Sequence, residues 1–201
     1  KLKNNLYTKI NDNCDQLITQ FDQISDDRKL LLDQLTAYLS KVYQSNATPQ
    51  LIVICTHNSR RSHMGQLWLS VAAAYYGLPD LHTFSGGTEG TAFYKSAVAA
   101  MRDIGFEIDG DINNDNPRYR IRWNADLKPY EALSKKYNDP PNPTSGFGAI
   151  MVCTSADEAC PIVEGADFRI ALPFHDPKAY DGTDLELDKY KERSRDIGRE
   201  M

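Results

Sequence analysis

Apolar positions in the first 45 residues recur every three or four. Leu6, Ile10, Cys14, Leu17, Phe21 and Ile24 form one stripe; Leu31, Leu35, Tyr38, Leu39 and Val42 form a second. Ser25 followed by Asp26 and Asp27 reads as an N-cap with acids in the first turn. Two helices joined as a hairpin are therefore expected, the second ending at Ser45-Asn46-Ala47-Thr48-Pro49. Cys14 lies on the apolar stripe, as a core-packing residue does. The pattern then changes. Leu51-Ile52-Val53-Ile54-Cys55 is a short continuous apolar run, as a buried parallel strand requires. A helix is expected from about Ser62 to Tyr76, stopped near Gly77. A strand over His82 to Ser85 closes at Gly86-Gly87, and a helix over Phe93 to Ile104 ends at Gly105. Ala149 to Cys153 and Phe168 to Leu172 read as further strands. Thr183-Asp184-Leu185-Glu186 has the form of a capping box opening a last helix toward Met201.

Strands alternating with helices predict an α/β fold with a four-stranded, mainly parallel sheet and flanking helices. The expected division is an N-terminal helical hairpin over 1–48 and a main domain over 49–201, with 110–148 as an insertion rich in Asn, Pro and Gly. Within the insertion, Tyr119, Ile121 and Trp123 alternate with Arg118, Arg120 and Arg122. Two readings stand: an edge strand protected by charge, or a basic lid over an anion site. No internal repeats occur.

The 201 residues are 41% hydrophobic and 25% charged, with a net charge of −5. Such a balance suits a globular domain and argues against a general nucleic-acid binder. The apolar runs are far shorter than the ~20 residues of a membrane helix. The chain opens on Lys1, as expected of a trimmed or processed chain, and no signal peptide is visible within it. Four cysteines are too few for a disulfide scaffold. The four histidines are scattered, and neither His-x3-His nor Cys-x2-Cys spacing occurs, so no metal and no cofactor are expected.

Chemistry concentrates after the first strand, in Cys55-Thr56-His57-Asn58-Ser59-Arg60-Arg61-Ser62. A loop between a strand end and a helix start presents free backbone N–H groups and the positive end of a helix dipole. A tetrahedral oxyanion fits there, with Arg61 as a bidentate clamp. The same field favours an anionic Cys55 sulfur, the reactive form of a thiol. Ser62 is placed to hydrogen-bond that sulfur and Asn58 to fix the loop. The competing reading is a buried structural cysteine beside two surface arginines. The loop lacks the glycines and lysine of a nucleotide-binding P-loop.

These residues resemble the low-molecular-weight protein tyrosine phosphatases and the thioredoxin-coupled arsenate reductases that share their fold. The family pattern Cys-x-Gly-Asn-x-Cys-Arg-Ser is matched by residues 55–62 with two departures, His57 for glycine and Arg60 for cysteine. Phe84-Ser85-Gly86-Gly87-Thr88-Glu89 is similar to the family's Ser-Ala-Gly-Thr-Glu segment. The resemblance covers roughly 51–110 and 149–200 and implies strand order 2-1-3-4. It implies Cys55 as nucleophile and Arg61 as anion clamp, with Thr56, His57, Asn58, Ser59, Arg60 and Ser62 lining the substrate site. It also implies Asp176, in Phe174-His175-Asp176-Pro177, as general acid; the plainer reading is an Asp-Pro turn.

Cys153-Thr154-Ser155-Ala156-Asp157-Glu158-Ala159-Cys160-Pro161 is similar to the redox segment of the arsenate reductases. In the implied relay, Cys55 attacks arsenate, Cys153 attacks Cys55, and Cys160 moves the disulfide to Cys153–Cys160 for thioredoxin to reduce. The implied strand order makes the strands ending at Cys55 and Cys153 neighbours, ~4.8 Å apart. If 153–160 were helical, seven steps of ~1.5 Å would separate its cysteines by ~10 Å, so the segment must unwind to join them. The expected activity is arsenate reduction. The alternative is a tyrosine or small phosphoester phosphatase needing only Cys55, Arg61 and Asp176, with both cysteines of the pair as bystanders. A non-catalytic oxyanion- or partner-binding module is the third reading. Arsenate, phosphate or a phosphoester is the expected ligand, thioredoxin the expected partner, and the reducing cytoplasm the expected compartment.

Overall fold

The computed structural model describes residues 5–78, 80–111 and 113–201. In chain order the elements are α1 (Thr8–Ile18), α2 (Asp26–Gln44), β1 (Gln50–Cys55), α3 (Arg61–Tyr76), β2 (His82–Gly87), α4 (Lys95–Ile104), β3 (Glu107–Gly110), β4 (Tyr119–Arg122) and β5 (Tyr130–Ala132). They continue with β6 (Phe147–Met151), α5 (Thr154–Ala159), β7 (Ala166–Ala171) and α6 (Glu186–Glu200). The main sheet has the order β2-β1-β6-β7, every pair parallel. This is the expected architecture and strand order. Its centre is β1, buried from Leu51 to Cys55. α3 is buried along most of its length, between the sheet and α6; its Trp68 is 2% exposed and donates from Nε1 to Ser194 Oγ at 3.1 Å. Burying a side chain of that size stabilises the fold by ~2–3 kcal/mol. α3 and α4 end at Gly77 and Gly105, both in the left-handed region with φ of 69° and 119°, where a side chain would be strained.

Both apolar stripes of the N-terminal segment form helices, and the Ser25 side chain caps α2 by accepting from the Arg28 N–H. The two helices do not rest chiefly on each other. α1 packs on α3, α4 and α6, while α2 packs on β7. Leu6, Ile10, Cys14, Leu17 and Leu35 join the same hydrophobic core as the sheet. Phe21 leaves its stripe in a 3-10 turn and is exposed.

Three local expectations are corrected. β2 does not close before Gly86-Gly87 but runs through both, which pair with Ile54 and Cys55 of β1; neighbouring backbone packed on them leaves no room for a side chain. A Cβ on Gly87 would lie 2.2 Å from Glu89 O and 2.6 Å from Thr56 O. β4 is neither an edge strand nor a lid. It is the middle strand of a second, antiparallel sheet, β3-β4-β5, with Tyr119 and Ile121 buried and Arg120 and Arg122 exposed. The capping box is not made. Glu186 begins α6, and its carboxylate accepts from Gly182 N–H at 2.7 Å, Tyr94 OH at 3.0 Å and Ser96 OH at 2.5 Å. Among the described residues, no helix is long and apolar enough to cross a membrane.

Candidate active site

Parallel strands bring their carboxyl ends to one edge, where open α/β sheets bind ligands. Cys55 ends β1 there, Cys153 follows β6, and Asp176 follows β7. The loop from Cys55 runs straight into α3. Among the described residues, the backbone N–H groups of residues 57–61 make no hydrogen bond within the protein. Cys55 is buried, and its Sγ lies 3.0 Å from Ser62 Oγ.

Asn58 sets the loop's shape. It is fully buried with φ of +44°, a conformation that Asn tolerates better than most residues. Its Nδ2 donates to Ser62 Oγ at 2.9 Å and to Ser85 Oγ at 3.1 Å, while its Oδ1 accepts from Lys135 N–H at 2.9 Å. Ser134 Oγ donates to His57 O at 3.1 Å and accepts from Thr91 N–H at 2.7 Å. Ser134 and Lys135 thus brace the loop, on the close approach that Gly86 and Gly87 permit. Behind Ser85, His63 is fully buried and stacks on Phe93 at 4.1 Å; its Nδ1 lies 3.3 Å from Ser85 Oγ. Burial, with the nearby Lys135 charge, pushes His63 down to about 3, so the ring is neutral. Burial likewise pulls Lys135 down to about 8.

The two arginines have different settings. Arg61 Nη1 donates to Phe174 O at 2.8 Å, and Nη2 pairs with Asp176 Oδ2 at 2.6 Å. Its Nε is buried and, among the described residues, has no hydrogen-bond partner. Arg60 is committed elsewhere. Its Nε donates to Tyr190 OH at 2.5 Å and Nη2 to Asp181 at 2.7 Å, while its guanidinium lies 4.2 Å over the Tyr94 ring. Arg60 therefore ties the loop to α6. His57, at the rim, pairs its Nε2 with Glu89 at 2.9 Å. Asp176 is exposed; its Oδ1 accepts from Lys178 N–H at 3.0 Å, the turn expected of Asp-Pro.

Cys153 is buried at the start of α5. Val152 N–H donates to Ile54 O at 2.9 Å, which puts Cys153 one step past the residue level with Cys55. Thr56 Oγ1 stands 3.4 Å from Cys153 Sγ, and Ala156 N–H donates to that sulfur at 3.3 Å. Cys160 is partly exposed at the far end of α5. All four cysteines are free thiols.

Curated arsenate reductases from Halalkalibacterium halodurans and Bacillus subtilis are each 28% identical to this chain over 149 residues, 74% of this chain and 88% of theirs. The chain is similar to these arsenate reductases. Similarity of that kind agrees with the resemblance carried by residues 55–62. A solved low-molecular-weight phosphotyrosine phosphatase from Vibrio cholerae O395 matches with a TM-score of 0.51 at 13% identity, over 76% of this chain and 91% of that one, and shows a shared fold. No protein-family profile matches the chain.

Ser85, Ser134 and Lys135 are site residues that the residue pattern did not assign. The Gly86-Gly87 pair was the available signal, since paired glycines in a strand mark close backbone approach. Nothing local marks Ser134 or Lys135.

Proposed function

We propose that the chain is an arsenate reductase in which Cys55 is the nucleophile and Cys153 and Cys160 carry the disulfide away. The observation that carries this reading is the placement of Cys153 beside the loop, its Sγ 3.4 Å from Thr56 Oγ1. Arsenate takes the loop N–H groups and the Arg61 guanidinium, whose buried Nε gains an acceptor. Arg61 then has an anion to compete with Asp176, which frees the carboxyl to protonate a departing oxygen. Cys55 thiolate bonds to arsenic and water leaves. Cys153 thiolate attacks Cys55 sulfur; the S–As electron pair leaves with arsenic, which becomes arsenite. Two electrons pass from the two thiols to arsenic, leaving a Cys55–Cys153 disulfide. Cys160 thiolate then attacks Cys153 and expels Cys55 thiolate. A dithiol carrier such as thioredoxin reduces the resulting Cys153–Cys160 pair, in the cytoplasm. Residues 49–201 form the catalytic unit and 1–48 an extension of it.

The second reading is a phosphatase working through phosphocysteine. It needs only Cys55, Arg61 and Asp176, and the Arg61–Asp176 pair serves it as well as it serves the reductase. Cys153→Ser separates the readings. A reductase loses arsenate reduction and keeps aryl phosphate hydrolysis; if arsenate is still reduced at the original rate, Cys153 has no part in the relay.

A further inference from the structure

We propose that Arg28, in the first turn of α2, positions the loop that carries Asp176. The inference rests on the reading of Asp176 as the general acid.

The loop over 172–177 is fixed on one side by the sheet. Leu172 N–H donates to Met151 O at 2.8 Å and Phe174 N–H to Val152 O at 3.0 Å. Beyond Phe174 the next two residues, His175 and Asp176, are exposed. Arg28 grips the other side. Its Nη1 donates to Pro173 O at 2.9 Å, and its guanidinium lies 4.7 Å over the Phe174 ring. Its Nε donates to both oxygens of Glu200, at 2.8 and 2.7 Å, and the Glu200 side chain is only 11% exposed. A planar fork can hold a carboxylate, donate to a carbonyl and cover a ring at once; a lysine ammonium cannot. The loop then hands the geometry on, because Phe174 O and Asp176 Oδ2 are the two acceptors of Arg61. Glu200 in α6 and Arg28 in α2 thereby set where the acid and the anion clamp sit. An N-terminal segment with no catalytic motif of its own acquires a role in the site through this side chain.

The test uses the full chain and the variants Arg28→Met, Arg28→Lys, Glu200→Gln and Asp176→Asn. Two readouts are taken: exchange of the hydrogen-bonded amides of Phe174 and Lys178, and kcat/KM for phenyl phosphate and p-nitrophenyl phosphate. A mispositioned acid hurts the poor leaving group more than the good one. In Arg28→Met the two amides exchange faster, and kcat/KM falls about 10-fold for phenyl phosphate with little change for p-nitrophenyl phosphate. Arg28→Lys recovers part of the loss. Glu200→Gln, which leaves every direct loop contact in place, shows the same bias at smaller size and serves if Arg28→Met does not fold. Unchanged exchange, or an equal fall on both esters, overturns the proposal. If Asp176→Asn itself shows no leaving-group bias, or the unmodified chain hydrolyses neither ester, the acid assignment fails, whatever the exchange data show.

Discussion

Residues 55–62 and residues 153–160 leave neighbouring strands at the same sheet edge, yet they are held by different means. The first segment is fixed from inside. Asn58 alone makes three buried hydrogen bonds, and Ser62, Ser85 and Lys135 complete a closed set around it. The second is a six-residue helix, α5, with Thr154, Ser155, Glu158 and Ala159 exposed. It is held at its far end by Arg169 of β7, whose guanidinium donates to the carbonyls of Asp157 and Cys160 and to the Asp157 carboxylate. The difference fits the chemistry proposed for each segment. An oxyanion cradle must keep its N–H groups aimed at one point. A segment proposed to join Cys153 to Cys160 would have to surrender its helix, and a short helix with four exposed residues gives that up at little cost.

Removing Cys55, the proposed nucleophile, has the largest expected effect. Cys55→Ser is expected to abolish arsenate turnover and aryl phosphate hydrolysis together, by 10³-fold or more on an order-of-magnitude scale. Retention of either activity in steady-state assays would remove Cys55 from the account. Asn58→Ala comes next. It strands buried partners and puts Ala at a positive φ, so unfolding in urea should show a loss of about 2–4 kcal/mol, with kcat/KM down about 100-fold. A stable, active variant would mean the loop does not depend on its buried network.

The third prediction uses pH. His63 has a folded-state value of about 3 against an ordinary value of 6.5. Below 6.5 the unfolded chain takes up the proton that the folded chain refuses. Stability is therefore complete above 6.5 and is lost as pH falls from 6.5 toward 3, by about 2 kcal/mol at pH 5. Urea titrations at pH 7 and pH 5 measure the loss, and His63→Gln should flatten it. An equal loss in the variant would assign the acid limb to other groups. The smallest effect is on the second segment. Arg169→Met should speed amide exchange across 154–160 about 10-fold, equivalent to about 1.4 kcal/mol, without altering aryl phosphate hydrolysis. A change in hydrolysis of similar size would show that the two segments are coupled in the resting protein.

How far the sequence could be read divides along the same line. Leu51 to Cys55 is legible because a short apolar run bounded by polar residues has few other uses. Cys55, Asn58, Ser62 and Asp176 follow, because their neighbours in the chain fix their place at a strand end. Lys135 and Ser134 are illegible for the opposite reason. They act through segments that meet only in the folded state, 77 residues from their partners Asn58 and His57. Arg60 was expected to line the substrate site, but its partners Asp181 and Tyr190 lie more than a hundred residues on and draw it to α6. The basic face of β4 suggested an edge because alternation reports which side is buried, not how many neighbours a strand has. Arg28 carries no signal at all, since a charged residue in a first helical turn is ordinary.

Whether Cys55, Cys153 and Cys160 act in sequence is answered by one experiment. Fully reduced protein is given a single equivalent of arsenate, its thiols are counted and its disulfides are mapped. Two thiols are expected to be lost, with a Cys153–Cys160 linkage, and none in Cys55→Ser. If all thiols survive while an aryl phosphate is still hydrolysed, the relay is contradicted and the cleft is that of a phosphatase.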